Sequence, residues 1–414
     1  MNKRIAVLTL VGFLAANSLA AYPIDGYETT GLRRLEAVRL RVEKQLPGAV
    51  PASGALKPIA DIKLHLCAGP GHELKAPPEV DADLQQQIEA LFPNRDESYS
   101  IAILAIMPDG TLRFAARQEE RQFQPGSVGK LAVAAGLFAE LKRLFPSSPE
   151  ARQKLLRERM VVADRWIRSD THEVPLFDPA TLQFIERPIQ EGDVFSLYEW
   201  TDHMLSASAN AAASVVWKEA VLMRAFGENY PPTYEAEVAY FKQTPVKTLQ
   251  AIASGVVNDV LREMGIDESQ WRLGSFFTSA GKAIIPMGGS HATPSGFLLF
   301  LMRIEQGLMV DEWSSLELKR LMYMTAKRIR YASAPALAKS MVYFKSGSLY
   351  KCQAEPGFNC GKYKGNVYNY MNSVAIVERP DGVVYLVALM SNVLRKNSAV
   401  DHQTLATQID RVLQ

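Results

Sequence analysis

The sequence predicts an α/β fold in which an antiparallel sheet is flanked by helices and joined to an all-helical lobe. Two observations carry this expectation. Strand character is split along the chain: an apolar, β-branched pair of segments lies early, at 98–117, and three more lie late, at 340–351, 372–378 and 383–390. Between them runs a long block of helical periodicity, and helices inserted between sequence-distant strands place a sheet beside a helical unit.

The first twenty residues read as a signal peptide. Lys3 and Arg4 form a positive start, Ile5 to Ala16 is an apolar run, and Ser18-Leu19-Ala20 offers small residues for cleavage. The run is shorter than the roughly 20 residues a permanent membrane helix needs. No cysteine stands at the cleavage site to carry a lipid. The mature protein is therefore expected in the periplasm or outside the cell, without a membrane anchor. Residues 21–79 form an extension of unassigned role. Within it, Leu32 to Gln45 has one amphipathic helical face, followed by a Pro/Gly/Ala-rich linker from Leu46 to Lys57.

From residue 80 onward the pattern is that of one catalytic unit. Asp81 to Phe92 begins with acidic residues suited to a helix N-terminus. Ser98 to Met107 and Thr111 to Arg117 flank Pro108-Asp109-Gly110 and predict a hairpin. Helical patterns follow at 128–144, 150–163, 197–225, 234–241, 245–265, 294–306 and 314–328, and the chain closes in a helix at 400–413. Strand character returns only in the three late segments.

Composition narrows the chemistry. Formal charge is +2, from 46 basic and 44 acidic residues, which leaves no footprint for nucleic acid. Removing Lys3 and Arg4 brings the 46 basic residues to 44, so the mature chain is formally neutral. The histidines at 65, 72, 172, 203, 291 and 402 show no metal-site spacing, and neither metal nor cofactor is expected. His203 and His291 read as structural. Cys352 and Cys360 enclose a Pro-Gly-containing loop; in an oxidising compartment they can close a disulfide, two free thiols being the alternative, and Cys67 is left over.

Ser127-Val128-Gly129-Lys130 opens the helical pattern at 128. Residues three apart on a helix share a face, so the Lys130 amine can reach the Ser127 hydroxyl. A serine hydroxyl needs a base beside it to act as a nucleophile, and a lysine serves only when its pKa is lowered. The same spacing recurs at Ser279/Lys282 and Ser348/Lys351, so it carries nothing alone. Ser208-Ala209-Asn210 then lies in a helical region suited to an interhelical loop, and Lys345-Ser346-Gly347 lies within a predicted strand. In that order and context the three match the Ser-x-x-Lys, Ser-x-Asn and Lys-Thr/Ser-Gly set.

On these residues the chain resembles the class A β-lactamase-like serine hydrolases, with penicillin-binding D,D-peptidases as wider kin. The likeness covers about 80–414, including Ala292 to Gln306, which resembles the family's Thr-Pro-started helix. It implies the β-lactamase-like fold, with insertions near 165–195 and 220–245. It also implies roles: Ser127 attacks an amide or β-lactam carbonyl, Lys130 takes its proton, and Ser208 passes a proton to the leaving nitrogen. Asn210 positions the substrate amide, and Lys345 meets a substrate carboxylate. Ser346, Gly347 and Ser348 line the strand edge, with the N–H groups of Ser127 and Ser348 as oxyanion hole. The implied partner is a peptide or amide substrate, with peptidoglycan as its source.

Two departures stand out. Class A enzymes carry a water-activating glutamate on a loop before the Thr-Pro helix. Here Trp271 to Thr278 holds no carboxylate, and Asp267 and Glu268 are the nearest replacements. The middle of the Ser-x-Asn motif is Ala209 where class A enzymes have Asp. The expectation is an exported acyl-enzyme hydrolase or acyltransferase on cell-wall amides, with β-lactams as pseudo-substrates. A β-lactamase with a relocated deacylation group and a non-turnover penicillin sensor are the alternatives. Tyr343, Phe344, Tyr350, Phe358, Tyr363, Tyr368 and Tyr370, interspersed with Lys351, Lys362 and Lys364, read either as ordinary strand aromatics or as a stacking platform.

Overall fold

The computed structural model describes residues 25–414; the signal-peptide expectation at 1–20 lies outside the described residues. Five strands form the main sheet: β1 (Ser100–Ile106), β2 (Leu112–Arg117), β3 (Met341–Lys351), β4 (Tyr368–Glu378) and β5 (Val384–Asn392). Their order across the sheet is β2-β1-β5-β4-β3. All neighbours are antiparallel, with Ser100 opposite Met390, Ala102 opposite Ala116 and Ser373 opposite Ser346. The early hairpin thus joins the late strands across the sheet's middle.

Side chains alternate across a strand, and β1 shows where each set goes. Ile101, Ile103 and Ala105 meet helices α2 (Ala82–Glu89) and α9 (Ala399–Val412) through Leu84, Ile88, Leu405 and Ile409. Ala102, Leu104 and Ile106 face the larger core, which continues into the helical lobe. Covering both faces explains why β1 reads as an unbroken apolar run.

The lobe is built on α3 (Lys130–Leu144), α4 (Leu197–Leu205), α5 (Asn210–Phe226) and α6 (Val246–Glu263). Gly136 is where α3 meets α6: a Cβ there would lie 2.6 Å from the Val256 carbonyl oxygen, so only glycine permits this approach. Between lobe and sheet lie α7 (Pro294–Glu305) and α8 (Glu312–Tyr323). Thr293 caps α7 through the Gly296 N–H, with Pro294 in its first turn.

Three sequence expectations are corrected. Strand character does not wait for the late segments: Glu173–Asp178 pairs with Gln183–Pro188, and Met160–Val162 with Val194–Ser196. The helix expected over 150–163 ends at Glu158, and the one over 314–328 ends at Tyr323. The 173–188 hairpin was missed because its second strand has no buried residue, so burial imposes no apolar alternation on it. The 197–225 stretch is two helices, broken at 206–209 as the Ser208 motif had implied.

Residues 25–79 are packed into the same molecule. Leu32 and Leu35 of the region around α1 (Arg33–Val42) enter the main core. Arg34, 7% exposed, makes a bidentate pair with Asp202 of α4 at 2.5 and 2.6 Å and donates to the Met324 carbonyl. Cys352 and Cys360 form a disulfide, while Cys67 is a free thiol.

Candidate active site

Ser127 sits in a tight turn, Gly126–Gly129, that runs directly into α3, so the positive end of the helix faces its hydroxyl. The turn is fixed against the sheet. Asn372 of β4 donates to the Gln124 and Pro125 carbonyls. Gly347 of β3 lies so close that a Cβ there would sit 2.4 Å from the Pro125 oxygen and 2.9 Å from the Ser127 nitrogen. Gly126, at φ 54°, approaches the Ser348 nitrogen reciprocally. Strand β3 and the Ser127 turn therefore touch backbone to backbone.

Lys130 is fully buried at the first position of α3. Its Nζ lies 3.0 Å from Ser127 Oγ, 2.5 Å from the Ser208 carbonyl oxygen and 2.8 Å from Asn210 Oδ1. Burial, opposed by the nearby Asp170 carboxylate, pushes its pKa down to about 7. A neutral amine has two N–H bonds and one lone pair. The Ser208 carbonyl and Asn210 Oδ1 can only accept, so they take the two N–H bonds and leave the lone pair for the Ser127 hydroxyl. The Phe277 ring, 5.0 Å from Nζ, closes the far side.

Ser208 stands in the α4–α5 loop with φ 61°, a left-handed conformation costing a non-glycine residue about 1–2 kcal/mol. The strain is held by Lys130 at its carbonyl and by the Ala209 N–H bonded to the His203 carbonyl. It brings Ser208 Oγ to 2.8 Å from Lys345 Nζ and 3.4 Å from Lys130 Nζ. Lys345 is buried on β3, and its pKa lies well below the usual lysine range because of burial, then the Lys130 and Arg330 charges. Two buried amines share one hydroxyl, and Ser208 bridges them.

These side chains line a cleft of about 970 Å³ between sheet and lobe, which Ser127, Ser208, Asn210, Lys345, Ser346, Gly347 and Ser348 all reach. The structure thus gathers every chemistry-bearing residue the sequence singled out except the disulfide pair. The alternative Ser-x-x-Lys pairs are not assembled this way: Ser279 Oγ donates to the Arg168 carbonyl, and Ser348 Oγ accepts from Arg330. His203 is buried against the Phe195 ring, and His291 bonds the Glu268 carbonyl, so neither contacts Ser127.

Two residues of the site escaped sequence reasoning. Arg330, buried at φ 54°, donates to the Gly347 carbonyl and to Ser348 Oγ, placing a guanidinium against the β3 edge. It lies just past the helical pattern expected over 314–328, in a stretch with no motif to mark it. Asp170 accepts from the Ala211 N–H at the start of α5 and from both His172 nitrogens, Nδ1 and backbone N. Burial would raise this carboxyl, but those hydrogen bonds hold it below its ordinary range. It precedes Ser208 in the chain, away from the Trp271–Thr278 loop where the resemblance puts a carboxylate.

The loop at Trp271–Thr278 does face the cleft, through Leu273, Ser275, Phe276 and Phe277. Asp267 and Glu268 do not: Asp267 bonds the Ser269 N–H, and Glu268 pairs with Arg262 at 2.6 Å. Glu173, beside His172, is the one carboxylate that lines the cleft among the described residues.

No protein-family model and no curated protein sequence matches the chain. Solved structures do. A class A β-lactamase from Bacteroides cellulosilyticus DSM 14838 is 16% identical over 80% of this chain and 95% of that one, with a TM-score of 0.51. A β-lactamase from Chitinophaga pinensis DSM 2588 is 14% identical over 80% of this chain and 98% of its own, also at 0.51. PBP-A is 14% identical over 81% of this chain and 96% of its own, at 0.50. The chain has the β-lactamase-like fold of these penicillin-recognising proteins.

Proposed function

We propose that this β-lactamase-like chain is an exported serine acyl-enzyme hydrolase or acyltransferase acting on cell-wall amides, and that β-lactams acylate it as pseudo-substrates. The observation that carries the reading is the hydrogen-bonding of Lys130, whose two N–H bonds are committed and whose lone pair is left for Ser127. Lys130 withdraws the hydroxyl proton as Ser127 Oγ attacks the carbonyl carbon. The developing oxyanion is met by the Ser127 and Ser348 N–H groups. Ser208 delivers a proton to the leaving nitrogen and is resupplied from Lys345 or Lys130, both within reach of its hydroxyl. Lys345 and Arg330 present positive charge to a substrate carboxylate. One neighbour supports the pairing of fold and chemistry: a mutant of PBP-A forms an acyl-enzyme complex with penicillin G. The N-terminal segment at 1–20 supports export.

The composition of the cleft favours a persistent adduct. The Trp271–Thr278 loop brings only uncharged side chains to it, and the hydrogen bonds of Asp170 go to His172 and the start of α5. With no carboxylate on that loop to activate water, deacylation is slow. Single-turnover and steady-state rates with a chromogenic cephalosporin test this. The expected result is one rapid equivalent of product followed by turnover at least about a hundredfold slower, the span that general-base assistance supplies. Sustained fast turnover would make the protein a β-lactamase and direct attention to Glu173.

A further inference from the structure

The positive charge of the cleft exceeds what one substrate carboxylate requires. Lys282, Lys327, Arg330, Lys345 and Lys362 line it against a single carboxylate, Glu173. The whole chain carries 46 basic and 44 acidic residues, so the excess is local. Lys345 and Arg330 are buried close to Ser127 and belong to the proposed acylation chemistry. The other three do not. Lys282 lies on the short helix Ser279–Ile284, Lys327 follows α8, and Lys362 lies just beyond Cys360, outside the disulfide-closed loop. All three are exposed, and they come from three separate elements.

Exposed lysines usually lie among acids that balance them. Here Lys282 and Lys362 make no ion pair among the described residues, and Lys327 has one loose contact, 3.8 Å from the exposed Glu186. Lys362 instead stands 5.3 Å from the Tyr363 ring, which itself lines the cleft and also carries the Arg330 guanidinium at 5.0 Å. Charge of one sign around a low-dielectric cleft concentrates its field inward and raises the local concentration of anions.

Resting on the acyl-enzyme reading above, we propose that the substrate is a peptide-like amide bearing at least two carboxylates. One is held beside Lys345 and Arg330 next to the reacting bond. The second is met by the lysines at the mouth, Lys282, Lys327 and Lys362.

Three penicillins that share a nucleus test this, because they differ at one side-chain carbon. Carbenicillin carries a carboxylate there, benzylpenicillin a hydrogen and ampicillin an ammonium. Second-order acylation rates of the full mature protein, read by intact mass, should fall in that order at low salt. The step from carbenicillin to benzylpenicillin should be about fivefold, as expected for a few charges acting through water. The spread should shrink at about 0.5 M salt, where charges are screened beyond a few ångströms. In the combined variant Lys282→Gln, Lys327→Gln, Lys362→Gln the ratio of carbenicillin to benzylpenicillin rates should fall severalfold, with an unchanged melting temperature as control for folding. Equal rates in the wild type, or the same ratio in the variant, would overturn the second-carboxylate assignment while leaving acylation intact. No acylation by any of the three would overturn the acyl-enzyme reading itself.

Discussion

Lys130 works only as a neutral amine, and the site achieves this by burying it and then restraining the effect. Burial lowers its pKa to about 7, and the charge of Asp170 acts in the opposite direction. Acylation should therefore rise with pH through a midpoint near 7, as the ammonium gives up its proton. Asp170→Asn removes a charge that favours the ammonium, so the midpoint should move to lower pH; a rise would contradict the assignment. The pH–rate profile of acylation for the two proteins measures this. The same shift bears on stability. A lysine whose pKa is lower folded than unfolded stabilises the native state fully above its unfolded pKa of 10.5, and that contribution is lost as pH falls toward about 7. At this scale the sequence was legible where chemistry and order coincide: Ser127, Lys130, Ser208, Asn210 and Lys345 each sit in a short motif. Arg330 and Asp170 belong to no motif, and only the chain's path brings Arg330 to the cleft and the charge of Asp170 to bear on Lys130.

At the scale of elements, the site is a contact between a turn and a strand. The Ser127 turn and β3 approach through Gly126 and Gly347, and Asn372 on β4 pins the turn by its carbonyls. Gly347→Ala would place a methyl group 2.4 Å from the Pro125 oxygen, so the turn must move. Displacing a nucleophile by about 1 Å costs on the order of a hundredfold in rate, and acylation should fall by that factor while the far-ultraviolet circular dichroism is kept. Near-normal acylation would show that the close approach is not required. Strands β1 and β5 could be read because burial on both faces keeps β1 and most of β5 apolar. The Glu173–Asp178 and Gln183–Pro188 hairpin could not, since Glu173, Gln183 and Glu186 are exposed and mask its alternation. The one-residue left turn at Ser208 was likewise invisible, although Ser-x-Asn marked the place where it occurs.

Across the whole molecule, the cleft depends on keeping sheet and lobe in register, and the N-terminal segment contributes to that. Arg34 reaches from α1 to Asp202 on α4 and to the carbonyl of Met324 at the end of α8. Arg33 adds a pair with Glu199 at 2.7 Å. Nothing in residues 21–79 announced this, because an arginine on an amphipathic helix reads as solvated until its partner, 168 positions away, is known. Arg34→Ala leaves Asp202 buried without its partner, which costs about 3 kcal/mol or more and should appear as a lowered urea midpoint. An unchanged midpoint would mean the segment is only draped on the lobe.

Intact mass of the mature protein after exposure to benzylpenicillin, with Ser127→Ala beside it, tests the central claim most directly. The wild type should gain the mass of one opened penicillin, the adduct should map to the peptide containing Ser127, and the variant should gain nothing. An adduct that survives Ser127→Ala, or a wild type that never reacts, would contradict the assignment of Ser127 as nucleophile.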